Sequence, residues 1–270
     1  MIATYFPFFV FTLLICLCTG TFVMYALWRF SGISSENAIL KASRQILPVL
    51  LVCLGIASIA TASHLGKPFR FLNAFYNPGS MIAQEGIWSM VFGAILTLVA
   101  FRVWRGQKVP KVFYTLGGIA SFLLLLACSL VYVRAIGIPA WNSGMTIIYF
   151  FGSSILLGVA VVYAASMQQA EETNRKTMVK VALIAVAAQI LVTAAFTVQL
   201  KLGVMNVILP QTVGLDIARW GIGLLAPVAI SYLAWRGELG NKCAGWSFLG
   251  CVLAGEILSR LIFFMQGVHL

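Results

Sequence analysis

Proton transfer, metal ligation and thiol chemistry fall to few side chains here: two His, six Cys and seven Asp or Glu among 270 residues. The cysteines are Cys16, Cys18, Cys53, Cys128, Cys243 and Cys251. They lack the clustered C-x2-C-type spacing of an iron–sulfur cluster, which takes four thiolates. Most lie in apolar runs, where a thiol usually acts as a small hydrophobe. A b-type haem held between helices takes two axial imidazoles, and only His64 and His269 are present. No haem, iron–sulfur cluster, molybdenum or other metal site is therefore expected in this protein. There is no P-loop and no dinucleotide fingerprint, and the G-x-x-x-G-like spacings fit helix packing. No internal repeat of the inverted-transporter kind is visible.

One local constellation stands out. Ala62-Ser63-His64-Leu65-Gly66-Lys67-Pro68 is followed by Phe69-Arg70-Phe71-Leu72-Asn73. A Gly and then a Pro two residues later end a helix, which puts His64 in the last turn. A lone His there is either a satisfied interfacial group or a proton acceptor, since imidazole titrates near neutral pH. The pattern by itself leaves both open.

The elements that must position these residues follow from composition. Of the residues, 61% are hydrophobic and 9% charged, with mean hydropathy +0.99. A soluble domain carries about 25% charged residues, so most of this surface faces lipid. Within a bilayer the backbone must satisfy itself as helices or a closed barrel, and no strand-like alternation is present. The expectation is an all-α bundle of eight transmembrane helices forming a single membrane domain over residues 1–270. Runs free of charge predict spans near 5–28, 46–63, 86–101, 112–133, 145–167, 181–200, 220–235 and 245–264. The uncharged piece Leu202 to Leu215 is shorter than the roughly 20 residues a span needs. With Asn206, Pro210 and Gln211 it reads as a folded-back loop. The first span lacks the basic n-region of a signal peptide and is expected to stay in the mature protein.

Arg29, Lys41, Arg44, Arg102, Arg105, Lys108, Lys111, Arg175, Lys176, Lys180, Arg236 and Lys242 fall in the odd-numbered connections, twelve of the 18 basic residues. Cytoplasmic loops carry such an excess, so both termini are expected outside. The net charge of +11 thus reflects topology, and with no basic patch interleaved with aromatics, no nucleic-acid partner is expected. Lys67, Arg70, Arg134, Lys201, Arg219 and Arg260 lie on or near the opposite face, against the rule. Glu85, Asp216 and Glu256 lie at the outer ends of spans or within them, whereas Glu36, Glu171, Glu172 and Glu238 fall in cytoplasmic loops. Ionisable groups at membrane depth default to a functional reading. The alternative is a structural ion pair, such as Glu256 with Arg260 four residues on. Charge placement leaves the two readings level.

The stretch Ser63-His64-Leu65-Gly66-Lys67-Pro68 through Asn73, with Glu85 opening the next helix, closely resembles the membrane anchor subunit (the C subunit) of the anaerobic dimethyl sulfoxide reductase family. Ala218-Arg219-Trp220 resembles the start of that family's seventh helix. Gly255-Glu256-Ile257 with Arg260 and Phe263 resembles its eighth. The resemblance runs over nearly the whole sequence in length, span number and order, with the specific motifs confined to these three segments. It implies a haem-free, eight-helix anchor in the bacterial inner membrane that oxidises menaquinol in anaerobic respiration. Electrons would pass to a four-cluster iron–sulfur subunit and on to a molybdopterin catalytic subunit. It also implies an outer quinol site using His64, Glu85 and Arg219, to which Asn73, Glu256 and Arg260 are added as candidate quinol contacts.

Two features depart from the family. Its members often carry a His-Glu-Trp tripeptide near the N-terminus, where this sequence reads Met1-Ile2-Ala3-Thr4-Tyr5-Phe6-Pro7. The connection between spans six and seven is also shorter and poorer in Ser and Gln. Subgroup and terminal acceptor are left open by these departures. The chemistry fits the resemblance: quinol oxidation releases two protons and two electrons, and needs a proton acceptor within hydrogen-bond reach. On this reading His64 accepts, Glu85 relays outward, and Arg219 holds Glu85 ionised or binds the second quinone oxygen. Lys67, Arg70 and Arg134 form either a rim that docks the partner or ordinary interfacial snorkelling. A polysulfide-reductase-type anchor and a small secondary transporter are the other classes. The transporter calls for broken helices and acidic groups near midplane, whereas these groups cluster toward one face.

Overall fold

A computed structural model describes residues 2–63, 76–168, 172–203 and 212–268. His64, Lys67, Arg70 and Asn73 lie outside them. The helices are α1 (Ile2–Phe30), α2 (Glu36–Ser63), α3 (Met81–Trp104), α4 (Lys111–Val133), α5 (Gly144–Met167), α6 (Glu172–Gly203), α7 (Val213–Ala218), a π-helical segment (Arg219–Leu225), α8 (Ala226–Arg236) and α9 (Asn241–Val268). The π segment joins α7 to α8 in one continuous span, Val213–Arg236. Among the described residues eight helices are then long and apolar enough to cross a membrane. The fold is all-α, as the composition requires.

Local chemistry sets several helix ends. Ser143 caps α5 by accepting from the Met145 amide, supplying one of the orphan donors of a first turn with a partner. Gly237 closes α8 in the left-handed region at φ 78, which costs glycine nothing. The π segment has a cause in Pro227. Proline cannot donate, and its ring collides with the carbonyl four residues back. The turn upstream widens, so that the Ala226 amide bonds to the Gly221 carbonyl, five residues back.

Three boundaries differ most from the sequence expectation. α2 starts at Glu36 rather than near 46, so Lys41 and Arg44 are helical. α6 starts at Glu172, so Arg175, Lys176 and Lys180 are helical; polar first turns extend a span into the headgroup region without loss of hydrogen bonding. The seventh span starts at Val213, so Leu202 and Val213 to Leu215 belong to helices rather than to a folded-back loop. Residues 204–211 between them lie outside the described set.

Packing resolves into two rings. α1, α2, α3 and α4 pack in sequence order, and α4 closes onto α1. α5, α6, α8 and α9 repeat this, with α9 closing onto α5. The rings meet along α1 and α5, flanked by α4 against α5 on one side and α1 against α9 on the other. Exchanging the rings maps the first flank onto the second, an approximate two-fold relation that the sequence does not display. Because each ring has an even number of spans, the halves run parallel, unlike inverted repeats. The seam depends on small residues: a Cβ on Gly20 would overlap the Ser154 carbonyl, and one on Gly158 would overlap the Gly20 backbone.

Candidate functional site

Glu85 lies in the second turn of α3 and is buried. α3 packs mainly on α2 and α4, with Phe92 edge-on to Phe22 of α1, so its surroundings come from the first ring. The Cys128 thiol of α4 lies alongside the carboxyl, with Tyr132 one turn further on the same helix. No cation of this ring reaches it among the described ion pairs.

Arg219 is the first residue of the π segment and is 4% exposed. Its Nη2 lies 2.7 Å from Oδ1 of Asp216, three residues earlier and partly exposed. The Thr212 hydroxyl donates to the other Asp216 oxygen at 3.0 Å. Thus Asp216, and not Glu85, is the counter-ion of Arg219 among the described ion pairs.

Glu256 and Arg260 are both buried on α9, yet they do not form the ion pair that their spacing permits. Oε1 of Glu256 accepts from Nε2 of Gln189 on α6, at 3.4 Å. Ser153 of α5 lies close to the same carboxyl, though its hydroxyl makes no hydrogen bond. Arg260 turns the other way. Its Nη2 donates to the Cys16 sulfur at 3.0 Å, and its guanidinium sits 3.9 Å from the centre of the Phe150 ring. Such a desolvated cation–π contact is worth about 2 kcal/mol, which offsets part of the several kcal/mol that burying an ion costs.

A narrow crevice between α6, the π segment and α9 is lined by Gln189, Thr193, Arg219, Gly223, Gly255, Glu256 and Ser259 among others. Gly223 and Gly255 face each other so closely that a Cβ on either would overlap the opposite backbone. This contact brings Arg219 and Glu256 to one opening. Around the neighbouring helix ends, Tyr132, Trp141, Phe150 and Phe263 form an aromatic cluster. It is pinned by the Trp141 indole N–H donating to the Phe263 carbonyl at 2.9 Å.

The structure therefore brings Arg219 and Glu256 together in the second ring and keeps Glu85 in the first, with Arg260 reaching across the seam between them. Arg134 is exposed where α4 ends. Sequence reasoning missed Cys16 and Cys128, read as hydrophobes, and Gln189. The signal for Gln189 was present: an amide at mid-span with Thr193 one turn on. Among the described residues no three His, Cys, Asp or Glu converge as a metal set.

Comparison with known proteins places this architecture. A family model described as DMSO reductase anchor subunit (DmsC) matches residues 3–215, most of the sequence. The protein belongs to this family. It is thus a multi-pass anchor subunit of the bacterial inner membrane. The anchor subunit is 29% identical over 127 residues to the C subunit of the anaerobic dimethyl sulfoxide reductase of Haemophilus influenzae, covering 44% of each protein. It is 26% identical over 249 residues to the anaerobic dimethyl sulfoxide reductase subunit YnfH of Escherichia coli, covering 82% of the anchor subunit and 80% of its relative. The match spans under half of the first relative's length and four fifths of the second's.

Proposed function

We propose that this anchor subunit oxidises menaquinol at the outer side of the membrane and hands the electrons to a four-cluster iron–sulfur subunit, which feeds a molybdopterin catalytic subunit. Both termini would lie on that outer side. Family membership supports the assembly, and the observation that carries the chemistry is Glu85. It is a carboxylate buried at a span end with no cation paired to it among the described ion pairs, in the helix that packs against α2, whose end is next in sequence to His64.

The division of labour follows from proton chemistry. A quinol hydroxyl becomes a better electron donor as its proton is withdrawn, so the acceptor must sit within hydrogen-bond reach. His64 would accept that proton, and Glu85, unencumbered by an ion pair, would relay it outward. Asn73, in the same connection as His64, would supply an amide to the quinol. Electrons leave for the partner's cluster, so the partner must dock near this end. Lys67, Arg70 and the exposed Arg134 are the basic residues of that face that would set its register. Arg219, Glu256 and Arg260, grouped with these residues from sequence, belong to the second ring, and we assign them no direct quinol contact.

The test is Glu85→Gln in the assembled complex. Quinol-driven turnover should fall by about 10²-fold or more, the usual worth of a positioned proton-transfer group. Reduction by a dye that donates directly to the iron–sulfur partner should be unchanged. Equal loss with both donors would contradict the assignment.

A further inference from the structure

Topology accounts for where the basic residues fall, but not for how unevenly acids neutralise them. In and beside the first-ring connections at one end of the bundle lie Arg29, Lys41, Arg44 and the four Lys and Arg residues between 102 and 111. Glu36 is the one acidic residue among them. The second ring carries five basic and three acidic residues at that end, and Arg236 pairs with Glu238 at 2.8 Å. The orientation rule counts Lys and Arg and gives Asp and Glu little weight, so it leaves the excess on the first ring unexplained. None of these first-ring cations belongs to an ion pair among the described ones.

Four of them lie on aromatic rings. The Arg29 guanidinium sits 5.6 Å from the centre of the Tyr114 ring, and Lys111 Nζ sits 5.7 Å from that of Phe30. Phe30 and Tyr114 meet edge to face at 5.5 Å, so the two cations flank one aromatic pair. Arg102 lies over Phe113 at 5.7 Å and Arg105 over Phe101 at 4.9 Å. The support beneath is fixed. Tyr114 is buried, with its hydroxyl 3.5 Å from that of Tyr25, which in turn lies 2.6 Å from the Ser43 hydroxyl. The Gln107 amide closes the α3–α4 hairpin by donating to the Arg102 carbonyl at 2.9 Å, and Nη1 of Arg102 donates to the Lys108 carbonyl at 3.3 Å. Phe30 and Phe101 are themselves exposed, as are Trp104 and Val112 beside them. On a bundle whose outer wall faces lipid, acyl chains run along such side chains, and cations at the span ends meet the headgroups.

We propose that this end of the first ring is a binding site for anionic phospholipid, with the phosphate held by Arg29 and Lys111 and by the Arg102–Lys108 hairpin. Clusters of four or more Lys and Arg beside a span attract anionic headgroups electrostatically. A free phosphate would use the cations but not the exposed rings next to them; a lipid uses both. The site lies at the other end of α3 from Glu85, so it stands apart from the quinol assignment.

Native mass spectrometry of the intact complex in detergent, titrated with phosphatidylglycerol or phosphatidylcholine, tests this by counting the lipids retained. Wild type should hold phosphatidylglycerol about 10-fold more tightly, and added salt should weaken that preference. Arg29→Gln with Lys111→Gln should lose about 10-fold in phosphatidylglycerol affinity. The charge-conserving pair Arg29→Lys with Lys111→Arg should keep most of it, and Lys176→Gln with Lys242→Gln in the second ring should change it little. The salt dependence of wild type needs no variant to fold. The proposal is overturned if wild type retains both lipids equally, or if the second-ring pair loses as much as the first-ring pair. It is also overturned if inorganic phosphate at the lipid's concentration displaces the lipid, or if Arg29→Gln with Lys111→Gln releases the partner subunits instead.

Discussion

Arg260, near the end of the last helix, donates to the thiol of Cys16, near the middle of the first, across 3.0 Å. The contact joins the two four-helix rings and spends a fully buried guanidinium on a sulfur acceptor. Nε and Nη1 of Arg260 have no hydrogen-bond partner, so the rings of Phe150 and Tyr149 are its remaining support. Arg260 is thereby directed away from Glu256, which frees that carboxyl to face the crevice.

This arrangement predicts strong non-additivity. Cys16→Val removes the acceptor and strands a charged donor, which costs about 1–3 kcal/mol or more. Arg260→Leu removes the need for the acceptor, and buried ions replaced by apolar groups of similar volume are often neutral in stability. The double variant should therefore be more stable than Cys16→Val alone, with a coupling energy of about 1–3 kcal/mol. Thermal unfolding of the complex in lipid nanodiscs measures the cycle; simple additivity would show that the contact carries no energy.

The seam glycines make a second prediction. Gly20→Ala places a methyl on the Ser154 carbonyl, whereas Gly118→Ala meets open space. Forcing volume into a packed interior costs about 1–3 kcal/mol or more, and here the obstacle is backbone. Gly20→Ala should lower the yield of assembled complex sharply, while Gly118→Ala should match wild type. Wild-type yield and melting in Gly20→Ala would mean that the rings do not meet at α1 and α5 as closely as described.

Much of the fold was legible because lipid exposure leaves a coarse signal: uncharged runs of span length separated by basic connections. The burial of Glu85, Glu256 and Arg260 was visible as ionisable residues within those runs. Their partners were not. The i,i+4 spacing of Glu256 and Arg260 suggests an ion pair, but rotamers send one to Gln189 and the other to Cys16, choices made by neighbouring helices far away in sequence. Likewise Arg219 and Glu85 both fall beside the starts of expected spans, yet ring membership separates them, and no local pattern encodes which helices share a ring. The π segment is a nearer miss, since Pro227 within an apolar run is a readable cause of a widened turn.

Topology makes a third prediction. Twelve basic residues fall in or beside the odd-numbered connections, and on the proposed orientation that face is cytoplasmic. Reporter fusions at Lys108 and Arg175 should signal from the cytoplasm and fusions after Leu270 from outside. An outer-face signal at Lys108 would invert the bundle and put Glu85 at the wrong side for the proposed chemistry.

The most direct test of the central claim is the His64→Ala variant of the intact complex, assayed with menaquinol and with an artificial dye. A general base lost from a proton-abstracting position costs about 10²–10⁴-fold in rate, so menaquinol-dependent reduction of the iron–sulfur partner should fall by that factor. The complex should still assemble, and the dye-driven rate should remain at the wild-type level. Full menaquinol activity in His64→Ala would contradict the account and leave this protein with an anchoring role alone.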